Sequence, residues 1–561
     1  VAVGEAQGRA GPGAGRLAGT AALIAALTVA SRVVGFGRTA VFGWTVQDTR
    51  MGELYQAVNA VPNVLFEIVA GGALASLVVP LIAGAAARGD RATVSATASA
   101  LLTWTLTLLV PLAVLVAAFA RPVVGLLLAD ASAVDLDTAE RMLRVFSPQL
   151  PLYGVGIVLT GVLQAHHRFA WPVLAPLLSS VTVIAAYLTF AAVEGPGADL
   201  PDVSRAGESI LTVGTTLGVL VLTLSVVLPV RALRLAWRPA YGLAPGTRRA
   251  ARGLATAGLA AVAGHQVALL VALNRADDGP KGTIVHFTLA QTVYLLPWAV
   301  LAVPLATAAY PTLAAAWAER DARRYADVLA PAARGVLLLS FLGAAALVAV
   351  AGPAAEILLD PPGTRPLAAA IAGFAPGLIG YALFALMSRA LYARGAATDA
   401  AGATLAGWTF AILAMLAFAG GLAYLDRALA LALGNSAGML VLGAVLVAVV
   451  ARRAGRQAVA GIGRVGAVGA LAGILAALAG VGVDRLAEAG LDRTPAEFAA
   501  VVQGMLSGCV AAAVFLTVAY ALDRHDVRPL VAGVWRRVSG VARRGKPVRP
   551  DGPARGEGEE P

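Results

Sequence analysis

The amino-acid sequence predicts an all-α polytopic membrane protein. It has fourteen transmembrane helices in two parallel six-helix lobes (1–6 and 7–12), two appended helices, and both termini in the cytoplasm. Three observations lead there. The 561 residues are 59% hydrophobic and 13% charged, with a mean hydropathy of +0.78, whereas a soluble domain is about half apolar and about a quarter charged. Fourteen stretches reach the ~20 mostly apolar residues that a span requires. The charge of the connecting loops alternates in sign.

In order, the spans are 19–45, 51–84, 92–119, 139–165, 170–193, 208–231, 250–274, 284–317, 328–351, 367–393, 400–424, 428–451, 462–483 and 498–522. With the N-terminus inside, the inner loops carry Arg88 and Arg91, Arg168, the group from Arg231 to Arg252, Arg320 to Arg324, Arg394, and Arg452 to Arg456. The outer loops lean acidic, with Asp130, Asp135, Asp137, Glu194, Asp199, Asp202, Asp277, Asp278, Glu356, Asp360, Asp484 and Glu488. Lys/Arg bias sets orientation, and one missed span would break the alternation.

The copies are visible as an internal repeat. Pro80 to Pro122 is the same interval as Pro311 to Pro353, and PLYGVGIVLTGVLQAHHR echoes PGLIGYALFALMSRALYAR. Six spans per copy give both the same orientation, the arrangement in which substrate sits at the repeat interface near the midplane. The Pro62–Pro80 interval exceeds Pro297–Pro311 by about one helical turn, so a bend at Gly71-Gly72 is expected in the first lobe alone. The divisions are a disordered cytoplasmic N-terminus (1–18), the first lobe (19–231), a basic linker on the anionic inner leaflet (232–249), the second lobe (250–451), the appended pair (462–522) and a basic cytoplasmic tail (523–561). An amphipathic surface helix is expected to begin that tail.

The net charge of +11 points to anionic inner-leaflet phospholipids rather than nucleic acid, since no soluble basic domain is present. The single cysteine, Cys509, excludes an internal disulfide and a cysteine metal cluster. The five histidines show no metal-ligand spacing, and there is no phosphate loop or nucleophile elbow. A secondary transporter fits this inventory better than an enzyme.

Charges at bilayer depth cost ~2.5–3.5 kcal/mol on insertion scales and so mark interior cavities. Arg32 and Arg38 lie deep in the first span, offset by about 120° on an ideal helix. In the second span Asn59, Asn63 and Glu67 form a polar stripe on one face. Glu67 is either a protonated interhelical hydrogen-bonding group or a counter-charge to Arg32 and Arg38 that titrates during transport. Glu53, at the outer edge, either favours the helix dipole or forms a gating salt bridge. Gly71 and Gly72 are candidate gate positions. His265, Gln266 and Gln291, with Thr292, are the polar counterparts in the second lobe.

The motif SRVVGFGR, followed by AVPNVLFEIVAGGALASLVVPLIAG, resembles the MurJ/MviN family of lipid II flippases, of the multidrug/oligosaccharidyl-lipid/polysaccharide exporter superfamily. The second lobe carries the likeness through YLLPWAVLAVPLATAAYPTLA. The resemblance implies a bacterial inner-membrane flippase that moves a polyprenyl-diphosphate-linked glycan by alternating access, with a groove for the lipid tail at the last two helices. It implies that Arg32 and Arg38 bind the diphosphate, that Glu53 stands for a usual Asp, and that Pro62-Asn63 matches the family's PN. Thr39, Phe66-Glu67 and Thr292 depart from positions often acidic or basic in the family, so a less cationic cavity is expected. No cofactor is implied. Energy would come from the membrane potential or an ion gradient, and cell-wall synthesis proteins are candidate partners. The alternatives are export of another polyprenyl-linked glycan or an amphiphilic drug, and a non-transporting scaffold docking through its tail.

Overall fold

The computed structural model describes residues 12–68, 72–242, 247–488 and 496–528, and every regular element among them is helical. A first series comprises α1 (Pro12–Thr45), α2 (Arg50–Phe66), α3 (Gly72–Ala87), α4 (Arg91–Ala118), α5 (Ala120–Leu127), α6 (Ala133–Phe146), α7 (Gln149–Ala165), α8 (Ala170–Glu194) and α9 (Arg205–Arg231). A second follows the same order: α10 (Thr247–Asp277), α11 (Thr283–Pro297), α12 (Val303–Ala318), α13 (Ala322–Ala349), α14 (Ala351–Leu358), α15 (Thr364–Phe374), α16 (Gly377–Ala393), α17 (Ala397–Gly421) and α18 (Arg427–Ala454). The chain continues with α19 (Ile462–Glu488) and α20 (Ala496–Leu522).

The two series repeat each other locally. Helices α4 and α13 each run 28 residues and start at an aspartate cap. Asp90 accepts the Thr93 N–H at 3.0 Å and Asp321 the Arg324 N–H at 2.8 Å, satisfying a free donor of the first turn. Each is followed by an eight-residue helix, α5 or α14. The breaks between α6 and α7 and between α15 and α16 fall at Pro148 and Pro376, where proline lacks a donor and restricts its predecessor.

Ten helical runs among the described residues are long and apolar enough to cross a membrane, or eleven if α15 and α16, bent by 43°, form one span. Among the described residues the fourteen predicted stretches fall on helices, but those on α1, α2–α3, α10 and α15–α16 are not among the ten. Three of these four carry the polar residues that line the cavities described below.

Two expectations are altered. Helix α1 begins at Pro12, within the stretch expected to be disordered, while residues 1–11 lie outside the described residues. The irregularity expected only in the first lobe occurs in both series: Glu67 and Ile68 form a π-turn, and Trp298–Ala302 a π-helix. The second follows from Pro304, whose ring would meet the Val300 carbonyl in a regular helix, so the preceding turn widens. Gly71 lies outside the described residues, and Gly72 opens α3.

Beyond α9 the linker runs along α4. The Ala236, Arg238 and Ala240 N–H groups donate to the hydroxyls of Ser95 (3.1 Å), Ser99 (3.2 Å) and Thr103 (3.2 Å). Trp104 then donates to the Tyr241 carbonyl at 3.2 Å, and the Thr107 and Tyr241 hydroxyls meet at 3.0 Å. Residues 243–246 lie outside the described residues.

Small residues permit the tightest crossings. Gly380 and Gly443 bring α16 and α18 into backbone contact, with the Gly380 Cα 2.8 Å from where a Cβ on Gly443 would stand. Helices α19 and α20 pair and lie along α13. Beyond α20, Asp526 accepts from Arg334 at 2.8 Å, and Arg464 bonds Asp523 (3.0 Å) and Asp526 (2.8 Å), fastening the pair to α13. Of the tail, residues 529–561 lie outside the described residues.

Candidate functional site

Helix α1 carries Arg32 and Arg38 into a cavity of about 680 Å³ bounded by α1, α2, α7, α8, α9 and α11. Both Arg32 and Arg38 line it despite their angular offset. Gly35 and Gly37 between them face open space, so the cavity wraps this side of an unbroken helix. The remaining polar lining is neutral: Ser31, Thr39, Asn59, Asn63, Ser179, Ser180, Thr215 and Thr292 among others. No carboxylate lines the cavity, and neither guanidinium forms an ion pair among the described residues. Two uncompensated cations in a neutral polar chamber attract an anion.

A second cavity, of about 530 Å³, lies between α2, α10 and α11. Gln56, Asn59, Asn63, Glu67, His265, Gln266 and Gln291 line it, so the predicted stripe on α2 and the predicted polar positions of the second series do come together. Asn59 and Asn63 border both cavities, which makes α2 their dividing wall. The Asn63 side chain donates to the Asn59 carbonyl at 2.8 Å, while Asn59 Oδ1 is buried with no partner. The His265 ring lies against Trp408, centroids 4.5 Å apart. Glu67 does not pair with Arg32 or Arg38 in this structure: it opens into the second cavity and they into the first.

A third face of α2 is apolar. Val61, Val64 and Leu65, with Leu115, Phe119, Leu126 and Leu270, line a pocket of about 450 Å³.

Above both cavities, at the end that carries the acidic loops, stands a cluster the sequence reading missed. Arg50 bonds Asp277 (2.7 Å), Glu53 (3.2 Å) and Asp135 (3.2 Å), and its backbone N–H donates to Asp199 (2.8 Å). Glu53, 2% exposed, also accepts the Ile284 N–H at 3.3 Å. Lys281 pairs with Asp199. Burial pushes the Asp199 carboxyl up, but hydrogen bonds from Lys281 and from the Leu200 and Arg50 N–H groups outweigh it and hold the group below its ordinary value.

Each of these contacts except those to Asp135 and within the first series crosses to the second series. Further bonds do the same. His286 meets Asp48 at 2.8 Å, Trp44 donates to the Ile357 carbonyl at 2.6 Å, and Gln47 donates to Asp360 at 3.2 Å. The Leu358 carbonyl sits against Gly43 where any side chain would collide. The two series are thus locked together at this end. Glu53 belongs to the lock, bonded to Arg50 and to the Ile284 N–H. One signal could have revealed Arg50: a cation in the first turn of a helix opposes the macrodipole and needs nearby carboxylates.

Comparison with known proteins follows the same lines. A family profile described as Lipid II flippase MurJ matches residues 42–488. The chain is 26% identical over 390 residues to the lipid II flippase MurJ of Burkholderia cenocepacia, covering 66% of this chain and 72% of that protein. A solved lipid II flippase MurJ in an inward closed conformation superposes with a TM-score of 0.68 at 18% identity, over 89% of this chain and 99% of that one. An inward-facing multidrug resistance MATE family transporter of the MOP superfamily superposes with a TM-score of 0.61 at 14% identity, over 76% of this chain and 94% of that one. The helical bundle therefore has the fold of these transporters, and the family match makes it a multi-pass protein of the inner membrane. By a match that spans most of its length, the chain belongs to the lipid II flippase MurJ family.

Proposed function

We propose that this protein flips lipid II, a polyprenyl-diphosphate-linked glycan, from the cytoplasmic to the outer leaflet by alternating access. The observation that carries the reading is the arginine cavity: two guanidiniums without an ion pair among the described residues, beneath a charged lock. A guanidinium presents a planar fork that matches phosphate oxygens in pairs. The lock closes the outer side, and its opening alternates with closure at the inner side. Fourteen spans with both termini inside, grouped in two six-helix lobes with α19 and α20 appended, complete the arrangement. The linker and tail face anionic inner-leaflet lipids, and cell-wall synthesis proteins are the partners sought.

No bound cofactor takes part, and the membrane potential or an ion gradient supplies the work. One charge crossing 100 mV is worth about 2.3 kcal/mol. Arg32→Ala and Arg38→Ala are each expected to lower lipid II flipping at least tenfold, read in cells depleted of their own flippase. Normal growth of both variants would sink the diphosphate assignment. A second reading, export of another polyprenyl-linked glycan, is favoured by Thr292, a neutral residue in the arginine cavity. Rescue of lipid II accumulation, or its failure, separates the two.

A further inference from the structure

We propose that α14 is a lever coupling the appended helices α19 and α20 to the lock, with Trp44 as the positioning residue through which a displacement of α20 opens the outer side. The inference rests on the reading of the lock as the closure of that side.

The locked end contains two latches of the same design. The short helices α5 and α14 occupy the same place in their series, and the last carbonyls of a helix have no partner within it. In both, the final two carbonyls meet the first helix of the opposite series. Asn274, near the outer end of α10, donates to the Leu126 (3.2 Å) and Leu127 (3.3 Å) carbonyls that finish α5. Trp44, near the outer end of α1, donates to the Ile357 carbonyl of α14 at 2.6 Å, and the Leu358 carbonyl rests against Gly43. Each series thus holds the other's short helix by its end.

What stands behind the two short helices differs. Helix α5 packs on α4, α6 and α10, whereas α14 packs on α20 as well as on α1. The α20 contact is made at the start of α14, opposite the end that Trp44 holds. A Cβ on Gly504 would stand 3.2 Å from the Pro353 Cβ, and one on Gly508 3.4 Å from the Val350 side chain. The Asp484 carboxylate of α19 lies 2.9 Å from where a Cβ on Gly352 would stand, and Gln503 of α20 donates to that carboxylate at 2.8 Å. Close-packed contacts of this kind transmit displacement instead of absorbing it. A two-turn helix is about 12 Å long and stiff, so a push at Val350–Pro353 arrives at Ile357–Leu358. The Trp44 latch therefore answers to the appended pair, and the Asn274 latch does not. A load on the lipid-facing side of that pair, where Leu478, Phe498 and Met505 are exposed, is felt at the lock.

The test uses the full-length protein in lipid nanodiscs, with Cys509 replaced by Ser and spin labels at the exposed positions Val134 and Leu425. The ratio of long to short label distances reports opening. Gly504→Val wedges α20 against Pro353 and is expected to raise that ratio about two- to tenfold, the worth of one hydrogen bond. Trp44→Phe keeps a ring but removes the donor, and is expected to raise it by a similar factor. Combined, the two should open the protein no further than either alone, because the wedge acts by breaking a latch already lost. Gly504→Val and Asn274→Ala should instead multiply, as independent sites do. No rise with the wedge, full multiplication with Trp44→Phe, or none with Asn274→Ala overturns the lever. If Gly504→Val fails to fold, Gly508→Val supplies the wedge against Val350 and decides in the same way. Arg50→Ala is the reference: if it leaves the distances unchanged, the reading of the lock as the outer closure fails, whereas a response to Arg50→Ala without one to the wedge defeats the lever alone.

Discussion

The charged lock and the arginine cavity share α2 and α11 and treat charge in opposite ways. At the lock, Arg50 is met by three carboxylates from α2, α6 and α10. Earlier in the chain, Arg38 and Arg32 on α1 have no carboxylate partner among the described residues. Charge that is paired inside the protein holds one conformation, since separating the pair exposes each partner to an unfavourable environment. Charge left unpaired in a polar chamber is available to a ligand. Counting arginines in apolar segments therefore locates charge but does not assign its role; the partners do.

Four substitutions test that contrast, from the largest effect to the smallest. Arg50→Ala leaves Glu53, Asp135 and Asp277 uncompensated, and breaking a buried pair in this way costs about 3–5 kcal/mol. The expected result is a lower unfolding midpoint and a wider distance between spin labels at Val134 and Leu425, both exposed at the locked end. An unaltered distance would separate the cluster from gating. Arg32→Lys keeps the charge but loses the planar fork, and is expected to weaken lipid II binding about tenfold by native mass spectrometry. Equal affinity would reduce Arg32 to a point charge.

Glu53→Gln retains an acceptor for the Ile284 N–H and loses only the ion pair, so a cost of about 1–2 kcal/mol is expected in thermal unfolding. A loss as large as that of Arg50→Ala would move the centre of the lock from Arg50 to Glu53. The smallest effect concerns Lys281. Because the Asp199 carboxyl is held below its ordinary value, its stabilisation is present at neutral pH and is lost as the pH falls through the folded-state value. Lys281→Ala should cost no more than about 1 kcal/mol at neutral pH and should remove part of the acid sensitivity of the lock. An identical acid profile would show that the Lys281–Asp199 pair contributes nothing measurable.

Much of the fold was legible in the sequence because hydropathy acts over long segments. The stretch predicted at 92–119 is α4 at Arg91–Ala118, and that at 170–193 is α8 at Ala170–Glu194. Arg32 and Arg38 were legible for the same reason, as charges inside an apolar run. The division into two chambers was not. Helical spacing places Asn59, Asn63 and Glu67 on one face, but cannot say that this face is the edge of a wall with a cavity on either side. Arg50 was missed because a charge at a helix end is ordinarily a solvated one. Its significance depends on Asp135 and Asp277, which are distant in sequence and adjacent only once the two series meet.

The lacing of the linker onto α4 has a consequence in simple commensurability. Two residues of extended chain rise about 6.6 Å, and four residues of α-helix about 6.0 Å. A helix with a hydroxyl at every fourth position can therefore serve as a rail whose rungs meet alternate N–H groups of a strand, slipping by about 0.6 Å per rung. After four rungs the accumulated slip of about 2.4 Å exceeds what a hydrogen bond tolerates. Here the rail has three N–H rungs, at Ser95, Ser99 and Thr103, and its ending is marked by the Trp104–Tyr241 clasp. The spacing Ser-x3-Ser-x3-Thr-x3-Thr in an otherwise apolar helix is thus the imprint, written one hundred and forty residues in advance, of the linker segment that will lie on it.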